Sequence, residues 1–166
     1  MNTVTSKDGT RIAFDQYGAG APIILVLGAF NERPTGVPLS QALAAHFTVF
    51  NYDRRGRGES SDTQPYSIER EIEDLDALIT QAGGSAYVFG YSSGAILALR
   101  AAAHGLAIAQ LALYDPPPTR AKAGDLVPQL TELMSADRRG DAVELFQTEA
   151  VGIPAEIVAR LRHAPF

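Results

Sequence analysis

The sequence predicts an α/β protein of three layers, built on a mostly parallel β-sheet. The continuous aliphatic run over residues 23–27 is typical of a strand that is buried on both faces, and residues 47–52 and 86–89, rich in aromatic and β-branched residues, are two further predicted strands. Helical segments separate these runs, and this alternation favours a parallel sheet with right-handed crossovers. The length of 166 residues suits one domain with a substantial core.

Turn and capping residues mark where the predicted elements begin and end. Asp8-Gly9, between two β-favouring runs, predicts a hairpin. Ser67 suits the N-cap of a helix, and Gly83-Gly84 ends that helix. The predicted strands are residues 3–6, 10–17, 23–27, 47–52, 86–89 and 111–114. The predicted helices are residues 39–46, 68–82, 95–103, 126–134, 141–150 and 154–162.

The character of the chain changes at the three prolines of residues 116–118. Strands alternate with helices before these prolines, whereas three amphipathic helical segments follow them without an intervening strand. We therefore expect a sheet-containing core over residues 1–115 and a separate helical part over residues 116–166.

The composition narrows the classes of function. The chain has 14 Lys and Arg against 19 Asp and Glu, and this acidic balance disfavours nucleic acid as a partner. Because it has no Cys and only 3 His, we expect no disulfide, no metal site and no cofactor. No secretory signal is visible, and the longest apolar run, residues 22–30, is too short to span a bilayer. We therefore expect a cytoplasmic protein.

The pattern Gly90-Tyr91-Ser92-Ser93-Gly94 carries the clearest chemical signal. It follows a predicted buried strand and opens a helix of small residues, which is the context of a nucleophile elbow. Such a turn exposes the serine hydroxyl above the sheet, and the helix N-terminus offers N–H groups to an oxyanion. We therefore predict Ser92 as the nucleophile and the Ser93 N–H as an oxyanion donor. A plain strand-to-helix turn or a phosphate-binding turn is the alternative.

Through this motif and two further segments the chain resembles the α/β-hydrolase superfamily, in its esterase, lipase and haloperoxidase-like group. Residues 25–30 (Leu-Val-Leu-Gly-Ala-Phe) resemble the family's His-Gly-x loop, which implies the Ala29 N–H as the second oxyanion donor. Leu27 stands where the family has His. Residues 52–60 resemble the family's Asp-x-Arg-Gly-x-Gly-x-Ser loop, whose Asp and Arg side chains brace a turn near the elbow. An anion or RNA site in this Arg-rich stretch is the alternative.

The resemblance implies three more residues near the reaction centre. Phe30 and Tyr91 are expected to line an apolar pocket for the acyl group, although such residues also occur in ordinary cores. Asp115 directly follows a predicted strand at the catalytic edge and is a candidate for the acid of the triad. Alternatively, Asp115 caps the exit of the chain or lines the pocket.

No histidine of this chain matches the family's catalytic base. His46 precedes a strand, His104 suits the end of a helix, and His163 lies in the segment that resembles the family's helical lid. The resemblance therefore implies an α/β-hydrolase topology truncated after the sixth strand and part of the lid. Residues 111–114 would then form an exposed sheet edge, open to self-association or to a complementing segment.

Taken together, these features predict a serine hydrolase that acts on an ester or related acyl group of a small-molecule substrate, incomplete in this chain. The missing downstream His keeps a second hypothesis open. In that hypothesis the chain is a non-catalytic binding module, or a remnant, that retains the pocket and lacks the base.

Overall fold

A computed structural model describes residues 1–117 and 126–162 of the chain. The chain divides into two compact units, a core unit over Met1–Pro116 and a helical unit over Pro117–Phe166. This division falls one residue after the boundary that the sequence predicts. The interpretation of the helical unit as a lid stays a prediction.

The core unit is built on a six-stranded sheet in the order β1-β2-β4-β3-β5-β6. The hairpin β1-β2 is antiparallel and joins β4 antiparallel, whereas β4, β3, β5 and β6 run parallel to one another. The predicted fold class, a mostly parallel α/β sheet, is therefore confirmed. The strands are β1 (Asn2–Thr5), β2 (Arg11–Tyr17), β3 (Ala21–Val26), β4 (Phe47–Tyr52), β5 (Ala86–Tyr91) and β6 (Ile108–Tyr114). The helices of this unit are α1 (Arg33–Leu43), α2 (Ile68–Gln81) and α3 (Ser93–Ala103).

The alternation of side chains along β3 creates the three layers. Ile24 and Val26 are fully buried in the large cluster to which α2 and α3 contribute their apolar stripes. Ile23 and Leu25 point to the opposite face, into a smaller cluster against which Leu39 of α1 packs. A strand that is apolar on both faces is thus covered on both sides, as the continuous hydrophobic run predicts.

Helix α1 begins at Arg33, well before the predicted start at residue 39. Pro34 lies in the first turn of the helix, where its missing N–H costs nothing. Side chains at the end of β4 hold this first turn: the Asp53 carboxylate accepts the Arg33 N–H at 2.7 Å, and the Asn51 amide donates to the Arg33 carbonyl at 2.8 Å. Tertiary contacts therefore decide where α1 begins.

Strand β6 is the edge of the described sheet and pairs only with β5. Its last residues are exposed, Leu113 by 39% and Tyr114 by 62%. The exposed edge agrees with the sequence analysis. Self-association or strand addition through it stays a prediction.

The helical unit contains the three segments that the sequence predicts. They are α4 (Leu126–Ser135), α5 (Arg139–Leu145), which continues as a π-helical segment (Phe146–Val151), and α6 (Ala155–Leu161). Ala142 and Val158 are buried, and the Arg162 guanidinium contacts the carboxylates of Asp141 and Glu144 at 3.1 and 2.8 Å. In the part of the chain that the structure describes, no helix combines the length and apolar character needed to cross a membrane.

Gly94→Ala should destabilise the core unit by about 3 kcal/mol. The added Cβ would lie against the Val26 carbonyl and 2.6 Å from the Leu27 carbonyl oxygen, so α3 would have to move off the sheet. Urea unfolding followed by circular dichroism measures the loss. Gly140→Ala in α5 is the matched control, because its Cβ meets nothing closer than the Arg162 guanidinium at 3.5 Å. Equal losses for both variants would contradict this account of the packing.

Candidate active site

Ser92 lies between β5 and α3 in a conformation that residues with a side chain rarely adopt. Its φ is 53° and its ψ is −121°. Two backbone hydrogen bonds fix this turn: the Ser92 N–H donates to the Tyr114 carbonyl at 2.9 Å, and the Ser92 carbonyl accepts the Ala95 N–H at 2.9 Å. Strain of this kind persists only where surrounding structure imposes it, and it concentrates at functional sites.

Three glycines let the strand, the helix and the loop after β3 approach one another at Ser92. A Cβ at Gly90 would lie 2.6 Å from the Ala95 Cα, so β5 and α3 touch there. A Cβ at Gly94 would collide with the loop carbonyls, and one at Gly28 would lie 3.1 Å from the Ser92 Cβ. The backbone at Gly28 therefore lies directly against the serine.

Two backbone N–H groups, one directly after Ser92 and one in the loop after β3, have no partner within residues 1–117 and 126–162. Ser93 is the first residue of α3, so its N–H has no acceptor in its own helix. Ala29, which is half-buried, donates its N–H to none of the described residues. The Ser92 hydroxyl likewise has no hydrogen bond to any of them. The site thus combines an unengaged hydroxyl with two unengaged backbone donors.

The loop after β4, residues 53–60, is organised around Asp53. Its buried carboxylate accepts the Arg33 Nε–H at 2.7 Å and the Glu59 N–H at 3.0 Å. A Cβ at Gly58 would lie 2.6 Å from the Asp53 carboxylate carbon, so the chain closes tightly over it. The contacts agree with the bracing that the resemblance implies for this Asp.

Arg54 joins the loop after β4 to the elbow. Its guanidinium forms a bidentate pair with Glu71 of α2, with both N···O distances at 2.6 Å and both side chains buried. The same guanidinium donates to the Leu27 carbonyl at 3.3 Å and to the Ser93 hydroxyl at 3.2 Å. One buried cation therefore contacts both segments that supply the two unengaged N–H groups.

Charge pairing disfavours the anion-site alternative for Arg54 and Arg55. Glu71 neutralises Arg54, and Asp74 forms a bidentate pair with Arg55 at 2.7 and 2.8 Å. Arg57 has no carboxylate partner among the described residues, and its Nη1 donates to the Gly28 carbonyl at 2.8 Å. Of these three arginines, Arg57 alone brings to the loop beside Ser92 a charge that no described carboxylate pairs.

Burial and charge shift the pKa values of this cluster in definite directions. Burial alone would raise the pKa of Glu71, but hydrogen bonds and charge from Arg54, with a hydrogen bond from Tyr66, hold it below the usual range. Burial, followed by the charge of Arg54, lowers the pKa of Arg57. Burial and then the hydrogen bond to Glu71 raise the pKa of Tyr66 to about 12. Glu71 is therefore a carboxylate, and the Tyr66 O–H donates to it at 2.7 Å.

The remaining predicted residues lie around the elbow. The Tyr91 ring packs 5.7 Å from the Tyr114 ring, centroid to centroid, and is half-buried. Phe30 has a φ of 59° and is 58% exposed. Asp115, with a φ of 49°, is exposed and directly follows the residue whose carbonyl holds the Ser92 N–H. The catalytic and pocket roles expected for these residues stay predictions.

No described histidine lies at the elbow. His104 follows the last turn of α3, with its Nδ1 2.8 Å from the Arg100 carbonyl, so it caps the helix as expected. His46 lies in the turn between α1 and β4. His163 falls outside the described residues. Among residues 1–117 and 126–162, no group of three or more His, Asp or Glu is arranged to hold a metal ion.

Sequence reasoning missed Glu71 and Tyr66 as parts of the site. The signal for Glu71 was its position three residues after Ile68 and four before Leu75, on the apolar stripe of α2. A carboxylate on a buried stripe needs a cationic partner, and Arg54 is that partner. No local pattern points to Tyr66.

Residues 23–164 match the sequence profile of the alpha/beta hydrolase family, and the chain belongs to this family. It is 34% identical to the N-formylmaleamate deformylase of Pseudomonas putida over 117 residues, and 34% identical to the uncharacterized hydrolase YraK of Bacillus subtilis over 102 residues. The crystal structure of an alpha/beta hydrolase from Sphaerobacter thermophilus superposes with a TM-score of 0.94 at 53% identity.

The chain spans less than half the length of the curated relatives. The matched segments cover 68% of this chain and 44% of the deformylase, and 59% of this chain and 38% of YraK. The Sphaerobacter match covers 99% of this chain and 66% of that protein. The fold and the family are shared over this part.

Replacing Ser92 by Gly should stabilise the core unit by about 1 kcal/mol, because glycine adopts a positive φ without strain. Ser93→Gly is the matched control, since residue 93 lies in the helix and not in the strained turn. It should cost about 1 kcal/mol, because it removes the hydroxyl that accepts a hydrogen bond from Arg54. Denaturant unfolding of both variants measures the difference. A Ser92→Gly variant less stable than the wild type would argue against stored strain.

Glu71→Gln should lower the free energy of unfolding at pH 7 by about 3 kcal/mol, because Arg54 would stay buried without a carboxylate. The pKa of Glu71 lies below its ordinary value of 4.5 in the folded protein. Its contribution is therefore complete above pH 4.5 and disappears as the pH falls through the folded-state pKa.

The measurement for Glu71→Gln is urea unfolding from pH 8 to pH 3. The gap to the wild type should be constant at neutral pH and narrow below about pH 4.5. Glu73→Gln is the control on the same helix, because the half-buried Glu73 pairs with Arg70 and Lys7 and does not contact Arg54, so it should cost less than Glu71→Gln. A gap that stays constant down to pH 3 would contradict the ion pair as its source.

Proposed function

We propose that this chain carries the nucleophile and the oxyanion hole of a serine hydrolase that acts on an ester or related acyl group of a small-molecule substrate in the cytoplasm. The observation that carries the proposal is the strained Ser92, whose hydroxyl is unengaged, followed in the chain by the unengaged Ser93 N–H and lying against Gly28, the residue before Ala29. Hydroxyl and donors of this kind are what acyl transfer requires.

The proposed reaction begins with attack of the Ser92 Oγ on the acyl carbon. A general base removes the hydroxyl proton, and the carbonyl oxygen becomes an oxyanion that accepts hydrogen bonds from the Ala29 and Ser93 N–H groups. Collapse expels the alcohol or amine, which takes the proton from the base and leaves an acyl-enzyme on Ser92. Water, activated by the same base, then releases the acid and restores the serine.

The base comes from outside the described residues in this proposal, because none of them hydrogen-bonds to the Ser92 hydroxyl. Asp115 is proposed as the acid that orients the base, since it directly follows Tyr114, whose carbonyl holds the Ser92 N–H. Phe30 and Tyr91 are proposed to contact the acyl group. The name of the Pseudomonas putida relative, a deformylase acting on an N-formyl compound, supports an acyl group as the reacting part.

A second candidate function is binding without turnover. The observation that favours it is the absence, within residues 1–117 and 126–162, of any side chain hydrogen-bonded to the Ser92 hydroxyl. A serine without a base keeps its pocket and its N–H donors but loses most of its nucleophilicity.

Labelling with a fluorophosphonate distinguishes the two functions. The probe phosphonylates an activated serine, and its phosphoryl oxygen occupies the oxyanion hole, so we expect one covalent adduct on Ser92. Intact-protein mass and peptide mapping detect it. Ser92→Ala should abolish the adduct.

Ser93→Ala is the matched control for labelling, because it keeps the backbone N–H and should retain the adduct. A folded wild-type chain that forms no adduct would reject the nucleophile and leave the binding function. An adduct on a serine other than Ser92 would reject the site.

A further inference from the structure

Three consecutive carbonyls of the loop after β3 each accept a hydrogen bond from a side chain. Arg54 Nη1 donates to the Leu27 carbonyl at 3.3 Å, and Arg57 Nη1 donates to the Gly28 carbonyl at 2.8 Å. Asn31 Nδ2 donates to the next one, the carbonyl of Ala29, at 2.9 Å. Every peptide plane from residue 27 to residue 30 is therefore held by a donor.

Holding a carbonyl also fixes the N–H of the same peptide. In a trans peptide the C=O and the N–H of the following residue point in opposite directions across one rigid plane. The Gly28 carbonyl points at Arg57, so the Ala29 N–H points away from Arg57. If this peptide turned over, its carbonyl would replace the N–H and present a negative dipole to an oxyanion.

We infer that Arg57, supported by Arg54, is a positioning residue that sets the direction of the Ala29 N–H beside Ser92. The inference rests on the proposed function for the meaning of that N–H. It goes beyond the bracing of a turn, because it assigns to one arginine the orientation of one peptide group in the oxyanion hole.

The contacts of Arg57 single it out from its neighbours. Arg54 and Arg55 each have a carboxylate partner, whereas Arg57 is half-buried and has none among the described residues. Its hydrogen bond there goes to the Gly28 carbonyl. Burial removes part of the hydration of the Arg57 guanidinium, and this is unfavourable without a counter-charge. The hydrogen bond to the Gly28 carbonyl is the contact that offsets this cost.

The sequence explains why this loop needs an external donor. A side chain at Gly28 would crowd the serine, because a Cβ there would lie 3.1 Å from the Ser92 Cβ, and glycine leaves the backbone free to turn. Leu27 has no polar atom with which to hold the loop. The loop's own Asn31 holds the Ala29 carbonyl, and the two arginines hold the Leu27 and Gly28 carbonyls from outside the loop.

The test compares Arg57→Met with Arg57→Lys in the full chain. Arg57→Met keeps most of the buried volume and removes the donor, whereas Arg57→Lys keeps a charged donor. Loss of an oxyanion donor slows catalysis by about 100- to 1,000-fold. In Arg57→Met the Ala29 N–H would still point at the site in part of the molecules. We therefore expect fluorophosphonate labelling of Ser92 to slow by about 10- to 100-fold. Arg57→Lys should label within about threefold of the wild type.

A second readout does not depend on chemistry at Ser92. In protein labelled with ¹⁵N-alanine, the Ala29 amide signal, assigned by its loss in Ala29→Gly, should shift or broaden in Arg57→Met and return toward the wild-type position in Arg57→Lys. Arg70→Met is the matched control, because it removes a half-buried charge of α2 that pairs with Glu73 and has no hydrogen bond to the loop after β3 among the described residues. It should change neither the labelling rate nor the Ala29 signal.

The outcomes separate the two proposals. Wild-type labelling rates and an unmoved Ala29 signal in a folded Arg57→Met protein would overturn the positioning role. If the wild type itself does not label, the proposed function fails, and the Ala29 signal alone decides the role of Arg57: a shift supports it and no shift rejects it. If Arg57→Met does not fold, Arg57→Gln, which removes the charge and shortens the side chain, takes its place with the same expected results.

Discussion

The buried ion pair between Arg54 and Glu71 is the contact on which the rest of the site depends. Its two 2.6 Å hydrogen bonds connect the loop after β4 to α2, and the free edge of the same guanidinium reaches Leu27 and Ser93. Taking two charges out of water is costly, so such a pair adds little net stability but is expensive to break. The pair therefore favours one arrangement of these segments, and the residues of the candidate site are held in that arrangement.

The strained turn at Ser92 draws on this arrangement. A non-glycine residue keeps a φ of 53° only when its surroundings prevent a change of conformation. Here β6 and α3 hydrogen-bond to the turn, and the loop after β3 packs against it. These segments meet without room for a Cβ at Gly90 and Gly94, and a Cβ at Gly28 would be crowded. Close packing of the sheet and α3 around the turn thus holds the serine that carries the hydroxyl in one position.

The sequence predicted the elements better than their connections. The run over residues 23–27 predicted a strand buried on both faces, and the small-residue helix after Gly94 followed from the elbow context. The predicted start of α1 was wrong because Asp53 and Asn51, which are distant in sequence, hold the first turn at Arg33. The tie from Arg57 to Gly28 could not be predicted for the same reason: periodicity reports which face a residue takes, whereas a hydrogen bond across 29 residues depends on the finished packing.

Charge balance links the ion pair to the proposed chemistry. Arg54, Arg57 and Glu71 together carry one net positive charge, since Glu71 cancels one of the two arginines. That charge lies at the carbonyl side of the peptide between Gly28 and Ala29, and the Ala29 N–H lies on the opposite side. The charge therefore adds to the positive potential at this N–H, which would face an oxyanion. The burial of Arg57 weakens screening by water and strengthens this field. An arginine that positions the loop mechanically therefore also favours the charge that the reaction would develop in front of it.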